Sequence, residues 1–193
     1  MTVFTIGHST RTVAEFIGLL REAAVERVVD VRSIPRSRTN PQFNTEALRE
    51  SLAAAGIGYV HLSALGGRRG RRRDAAPSPN QLWRSEGFRN YADYAMTAAF
   101  RAGLKQLKDL ASRERYAIMC AEAVWWRCHR RIISDYLLAD GLAVAHVMGP
   151  GRIVRDPHAR RATAARRGAA LRRRIRVAKA SAGRQFADLR RCR

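Results

Sequence analysis

The sequence predicts an α/β protein with a mostly parallel five-stranded sheet, a Rossmann-like doubly wound three-layer sandwich, followed by a basic C-terminal tail. Three observations predict it. Short apolar runs alternate with segments of helical period, each run ends in polar or glycine-containing loop residues, and the charge is split unevenly between the body and the end of the chain.

Val3 to Gly7 is the first strand, and His8, Ser9 and Thr10 form its polar exit. Thr12 and Glu15 match a capping box ahead of Phe16, Ile17 and Leu20, which recur at helical spacing. Arg27 to Val31 is the second strand, stopped by Pro35 after Arg32 and Ser33. Residues 45–55 are strong helix formers with Gly56 as the stop, and Tyr59 to Leu62 is the third strand. Arg68 to Gln81 is a long break with basic residues at Arg71 to Arg73, the length expected of a lid, a binding loop or a disordered segment. Phe88 to Ser112 reads as one long helix, Tyr116 to Met119 as the fourth strand, and a helix from about Val124 runs to a cap at Gly141. Ala143 to Val147 is the fifth strand. Doubly wound topology gives the order 3-2-1-4-5, with the switch point between strands one and four.

A chain of 193 residues with 46% hydrophobic content can bury one ordinary core, so we expect one α/β domain over residues 1–158 and an arginine-rich tail over 159–193. The sequence has no apolar run of roughly eighteen residues, and a strand begins close to the N-terminus. Both argue against a transmembrane segment or targeting peptide and make cytoplasm the expected compartment. An odd cysteine count in a chain of this length excludes a disulfide framework. Of the net charge of +21, residues 152–193 carry 15 Lys/Arg against 2 Asp/Glu. Such a tail attracts nucleic acid first and anionic membrane second through counterion release, and its bland alternative is a solvated segment. Leu171, Ile175, Ala178, Ala182, Phe186 and Leu189 recur at helical spacing, so residues 169–190 can form a basic amphipathic helix, with a disordered tail as the alternative that Gly168 and Gly183 favour.

The candidate site gathers at strand exits. His8 and Ser9 leave strand one, Asp30, Arg32 and Ser33 leave strand two, and Cys120 and Glu122 leave strand four ahead of Cys128, His129 and Arg130. In an open α/β sheet such exits are where ligands bind. Cys120, close to a helix N-terminus and to Arg127 or Arg130, is a candidate nucleophile, with a small buried hydrophobe as its alternative. Glu122 is a candidate acid/base or a turn-capping carboxylate, and His8 an acid/base group or a hydrogen-bonded strand cap. Arg32, Ser33, Arg36 and Arg38 form a candidate phosphate cradle, although Asp30 and Arg32 also suit a buried structural pair. The spacing Cys-x7-Cys-His is not a standard zinc spacing, which leaves a divalent metal on Cys120, Cys128 and either His8 or His129 as an open alternative and the cofactor unassigned. Six residues separate Cys120 from Arg127, which disfavours the phosphocysteine loop.

Several ordered blocks carry a family resemblance: Thr5-Ile-Gly-His-Ser9, Asp30-Val-Arg-Ser33, Leu65-Gly-Gly67, Tyr91-Ala-Asp-Tyr94, Met119-Cys-Ala-Glu122 and Trp126-Arg-Cys-His-Arg130. With Pro35, Ser37-Arg38, Phe43-Asn44, Phe88, His146 and Met148 to Gly151, they resemble the bacterial and archaeal domain-of-unknown-function family 488 over roughly residues 3–158. The resemblance implies an intracellular α/β domain with these polar blocks as shared positions, and no particular reaction. The residues themselves lead us to expect a hydrolytic enzyme acting on a phosphate-bearing substrate, nucleic acid or nucleotide. The alternatives are a non-catalytic nucleic-acid-binding module and a thiol-based redox or metal-binding protein.

Overall fold

The structure is a computed structural model that describes residues 1–70 and 77–157. The basic cluster Arg71 to Arg73 and the tail 159–193, with its expected amphipathic helix, lie outside the described residues.

Parallel strands β1 (Thr2–Gly7), β2 (Arg27–Asp30), β3 (Gly58–His61), β4 (Tyr116–Cys120) and β5 (Ala143–Gly149) form one sheet with a further strand, β6 (Arg152–Arg155), in the order β3-β2-β4-β1-β5-β6. The helices are α1 (Val13–Glu22), α2 (Thr45–Ala54), α3 (Glu86–Ala95), α4 (Ala98–Ala111) and α5 (Arg130–Ala139). No helix among the described residues is long and apolar enough to cross a membrane.

Three expectations need correction. Strand β4, not β1, pairs with β2, so β4 sits between β2 and β1. All five β4 residues are buried, as a central parallel strand requires, but the equally apolar run of β1 gives no sequence cue to which of the two lies inside. A sixth strand, β6, runs antiparallel to β5 through the turn at Gly151 (φ 61°). The single helix expected over 88–112 is two: α3 ends at Ala95, and the Thr97 hydroxyl accepts from Phe100 N–H to start α4.

Other local expectations hold. Thr12 and Glu15 make the reciprocal capping box, with Thr12 N–H donating to Glu15 Oε2 at 2.8 Å and Glu15 N–H to Thr12 Oγ1 at 3.2 Å. Gly56 and Gly141 take the left-handed conformation just past α2 and α5. Phe16 and Leu20 of α1 and Leu48 and Leu52 of α2 cluster with Phe4, Ile6, Val28, Ala117 and Met119 on one face of the sheet. Alternate strand residues point to the other face. There Tyr116 donates to Leu107 O of α4 at 2.9 Å, and Phe100 of α4 packs on Tyr136 of α5 with ring centroids 5.0 Å apart.

Candidate functional site

The site is built where β1, β2 and β4 end. The chain leaves β1 and β2 toward α1 and α2 on one face, but leaves β4 toward α5 on the other, so β4 is flanked on both sides by a reversal of winding. The expected switch point between strands one and four is retained in the new order, with a second between β4 and β2. Backbone bonds continue past the strands and stitch the exits together: His8 N–H to Cys120 O at 3.0 Å, Ser9 N–H to Ala121 O at 2.9 Å, and Val31 N–H to Met119 O at 3.0 Å. Position 7 must be glycine for this approach, since a Cβ there would lie 2.0 Å from the Glu122 carbonyl oxygen.

Asp30 is fully buried, and Arg32 is 6% exposed. Asp30 Oδ1 accepts from Arg32 N–H and Nε at 3.0 and 2.9 Å, while Oδ2 accepts from Arg32 Nη2 at 2.6 Å and from Tyr59 OH at 2.9 Å. Arg32 Nη2 also donates to Phe43 O at 2.8 Å, and Nη1 lies 3.4 Å from His8 Nε2. The structure therefore gives Arg32 the buried-pair role, clamping the β2 exit to the loop before α2. His8 stacks on Phe43 at 4.2 Å and directs Nδ1 at Ser9 O, 2.9 Å away. Burial, helped by the Arg32 guanidinium, lowers its pKa to about 4 against the opposing pull of the Ser9 carbonyl, so the ring is neutral near pH 7. With Nδ1–H donated to Ser9, the free lone pair on Nε2 faces Arg32.

Across β4 sits a second cluster. The helix expected from Val124 is instead a 3-10 turn (Trp125–Arg127), and α5 begins only at Arg130. This turn folds the chain back, so that Cys120 Sγ, Cys128 Sγ and His129 Nδ1 all lie within 4.8 Å of one another. Nδ1 is 3.5 Å from the Cys128 sulfur and 3.9 Å from that of Cys120. His129 Nε2 lies 3.0 Å from Val31 O, so it donates there and leaves the Nδ1 lone pair facing the sulfurs. Arg130, 1% exposed, donates from Nε to Cys128 Sγ at 3.3 Å and from Nη2 to the Glu122 carbonyl oxygen. A buried guanidinium needs an anion, and the sulfur beside it supplies one.

The two thiols divide accordingly. Cys128 is held low by the thiol hydrogen bond from Cys120 and by the Arg130 guanidinium, against its own burial, whereas Cys120 is pushed up by that same bond and by burial. Of the two cysteines, Cys128 carries the thiolate, and Arg130 serves Cys128 where the sequence pointed to Cys120.

Glu122 is exposed, and its Oε1 accepts from Val124 N–H at 3.3 Å, the turn-capping arrangement. Ser33 Oγ accepts from Arg68 N–H at 2.8 Å, tying the β2 and β3 exits, while Arg36 and Arg38 are exposed beyond it. The structure thus brings together His8, Asp30 and Arg32 on one side of β4 and Cys120, Cys128, His129 and Arg130 on the other, and leaves Glu122 and Arg38 at the surface.

Some supporting residues escaped the sequence reading. Tyr59 completes the Asp30 shell. Tyr91 sets its ring edge against His129 with centroids 5.1 Å apart, and a Cβ on Gly67 would lie 2.3 Å from His129 Nδ1. Leu65 to Gly67 and Tyr91 were visible only as family blocks. A buried relay from Thr5 Oγ1 to His146 Nδ1 (2.8 Å) and from His146 Nε2 to Asp156 Oδ2 (3.1 Å) lies under Trp125, which stacks on His146 at 4.0 Å. A shallow cavity of about 320 Å³ opens at the opposite, amino end of the strands, between Thr2, Phe4 and Arg113. It is remote from this chemistry and carries none of the clustered groups.

In comparisons with known proteins, the family described as domain of unknown function DUF488 matches residues 12–137, more than half of the chain. That span holds the Cys120, Cys128, His129 and Arg130 cluster and the Asp30–Arg32 pair. No curated protein and no solved structure matches.

Proposed function

We propose that this chain, which belongs to the DUF488 family, is a hydrolytic enzyme acting on a phosphate-bearing substrate, nucleic acid or nucleotide, at the crevice outside the carboxyl ends of β1, β2 and β4. One observation carries the reading. The exit loops hold exposed Arg36, Arg38, Arg68, Arg84 and Arg127 and half-buried Arg11 and Arg69, against the single carboxylate of Glu122 among their described residues. The entry loops at the other end of the same strands hold Glu26, Glu114 and Asp140 against Arg113 and Arg115. Since both ends belong to one arginine-rich chain, composition does not explain the asymmetry. Of the other acids at the exit end, Glu15, Glu46 and Glu86 sit in first turns of helices, where they offset the dipole, Asp30 is paired with Arg32, and Asp93 accepts from Ser78 and Asn80. A cationic rim around a crevice concentrates anions there.

In this reading Arg36 and Arg38 take the phosphate-holding part that Arg32, engaged with Asp30, does not supply. Ser9 and Ser33 line the loops beside them. Water adds across a phosphoester or glycosidic bond, Glu122 at the mouth moves the proton, and the Cys128, Cys120 and His129 group forms the reacting centre. His8 acts as a neutral, positioned imidazole. The experiment is an incubation of the full chain with oligonucleotides and nucleotides, products read by mass spectrometry. The reading predicts turnover that Cys128→Ser abolishes and that Arg36→Glu with Arg38→Glu slows through KM. Hydrolysis unchanged in all of these variants would overturn it.

The approach of the two sulfurs to within 4.8 Å favours a second reading, reversible thiol oxidation. Mild oxidation followed by peptide mapping tests it: a reducible Cys120–Cys128 linkage supports it, and none removes it.

A further inference from the structure

We infer that Cys120, Cys128 and His129 form a binding site for a soft, zinc-like divalent metal with one coordination position left open. The inference stands on ligand geometry and does not depend on the hydrolytic reading.

The donor set is two sulfurs and one imidazole nitrogen, which suits zinc rather than magnesium or calcium. Metal–sulfur bonds of about 2.3 Å and metal–nitrogen bonds of about 2.0 Å at tetrahedral angles set S···N edges of about 3.5 Å and an S···S edge of about 3.8 Å. Cys128 Sγ stands 3.5 Å from His129 Nδ1, Cys120 Sγ stands 3.9 Å from it, and no pair exceeds 4.8 Å. The first edge already fits, and the second closes with a movement of a few tenths of an ångström.

The surroundings hold the donors in place. His129 Nε2 donates to Val31 O at 3.0 Å, the outer-shell bond that fixes a ligating imidazole with its other nitrogen turned inward. Cys120 is the last residue of the buried strand β4, and His129 is the N-cap residue of α5, so two of the three ligands sit at the ends of rigid elements. Arg130 Nε donates to the Cys128 sulfur at 3.3 Å, and the guanidinium lowers the cost of gathering two anionic sulfurs. Gly67, by lacking a Cβ, leaves the space that the ring occupies. His8 is not a member, because its two nitrogens face Ser9 O and Arg32.

No fourth His, Cys, Asp or Glu atom joins the group among the described residues. Structural zinc sites close with four protein ligands, whereas three ligands leave a position for water or substrate. Among the described residues the geometry is therefore that of a three-ligand centre with one position open.

The test is a titration of reduced, chelator-treated full-length protein with Co²⁺ and then Zn²⁺. We expect one equivalent to produce thiolate-to-cobalt charge-transfer absorption with strong tetrahedral ligand-field bands, and Zn²⁺ to abolish both. Cys128→Ser and Cys120→Ser should each weaken binding by more than the ten- to hundredfold that loss of an outer-shell partner costs, while Cys192→Ser leaves it unchanged. Should the cysteine variants fail to fold, X-ray absorption of the zinc-loaded wild type reads the same claim as a shell of two sulfurs and one imidazole nitrogen. Absence of the thiolate band, its survival in Cys128→Ser, or an all-oxygen and nitrogen shell would overturn the inference. These readouts need no turnover, so metal binding without hydrolysis removes only the functional reading, and hydrolysis by protein that shows no thiolate-to-cobalt band removes only the metal site.

Discussion

Replacing Gly7 with alanine tests whether the exits of β1 and β4 are locked together. The added Cβ would stand 2.0 Å from Glu122 O, 2.7 Å from Glu122 C and 2.8 Å from Ala123 Cα, all backbone atoms with no side-chain escape. Reaching even the 3.0 Å minimum needs the two backbones to part by about 1 Å, which stretches His8 N–H to Cys120 O and Ser9 N–H to Ala121 O from 3.0 and 2.9 Å to about 4 Å, past bonding range. Two backbone bonds broken at about 1–3 kcal/mol each give a loss of about 2–6 kcal/mol, a large part of a total of about 5–15 kcal/mol. The Glu122 carbonyl also accepts from Arg130, so the same shift loosens the guanidinium beside Cys128. Urea unfolding at neutral pH measures the loss. Gly18→Ala, in a helix with open space around the added methyl, should stabilise by about 0.5–1 kcal/mol in the same assay. A Gly7→Ala loss below about 0.5 kcal/mol refutes the reasoning, because the exits would then tolerate separation.

Further outcomes follow from the two clusters. Asp30→Asn, which leaves a buried guanidinium without its anion, should cost about 3–5 kcal/mol, and Tyr59→Phe, which removes one hydrogen bond to the same carboxylate, about 1–2 kcal/mol; the reverse ranking in urea unfolding contradicts the assignment. His8 binds its proton near pH 4 when folded and near 6.5 when unfolded, so acid favours the unfolded chain. Its contribution is complete above pH 6.5 and lost as the pH falls toward 4, at most about 3 kcal/mol. His8→Gln should flatten that part of the stability curve, and parallel curves for the two proteins would rule the role out. Gly67→Ala, whose methyl would meet the His129 ring at 2.3 Å, should destabilise by about 1–3 kcal/mol, while Gly70→Ala, with nothing within 4 Å, stays near neutral; equal midpoints for the pair would show that the loop does not press on the ring.

What was legible in the sequence is what short-range chemistry decides. The capping box at Thr12 and Glu15, the glycines ending α2 and α5, and the polar exits of three strands all appear as local patterns, and the winding rule was enough to bring the exits together. Strand order was not legible, because β4 and all of β1 after Thr2 are buried and nothing in an apolar run says which neighbour it will have. Strand β6 is exposed along its whole length and so shows no alternation. The break between α3 and α4 hides inside a continuous helical period and is betrayed only by the Thr97 cap. The thiol assignment depended on the turn at Trp125–Arg127: a helix beginning at Val124 gives no reason for Cys128 to return to Cys120, whereas the 3-10 turn carries it back. Arg32 stands in a loop rich in arginine, and only the burial of Asp30 separates it from Arg36 and Arg38.

The most direct measurement of the central claim is a crystal structure of the full chain grown with tungstate, a phosphate mimic located by its anomalous scattering. The account predicts the anion outside the carboxyl ends of β2 and β4, held by Arg36, Arg38 or Arg127. Tungstate bound only at the entry loops beside Arg113 and Arg115, or only on the tail, would contradict it.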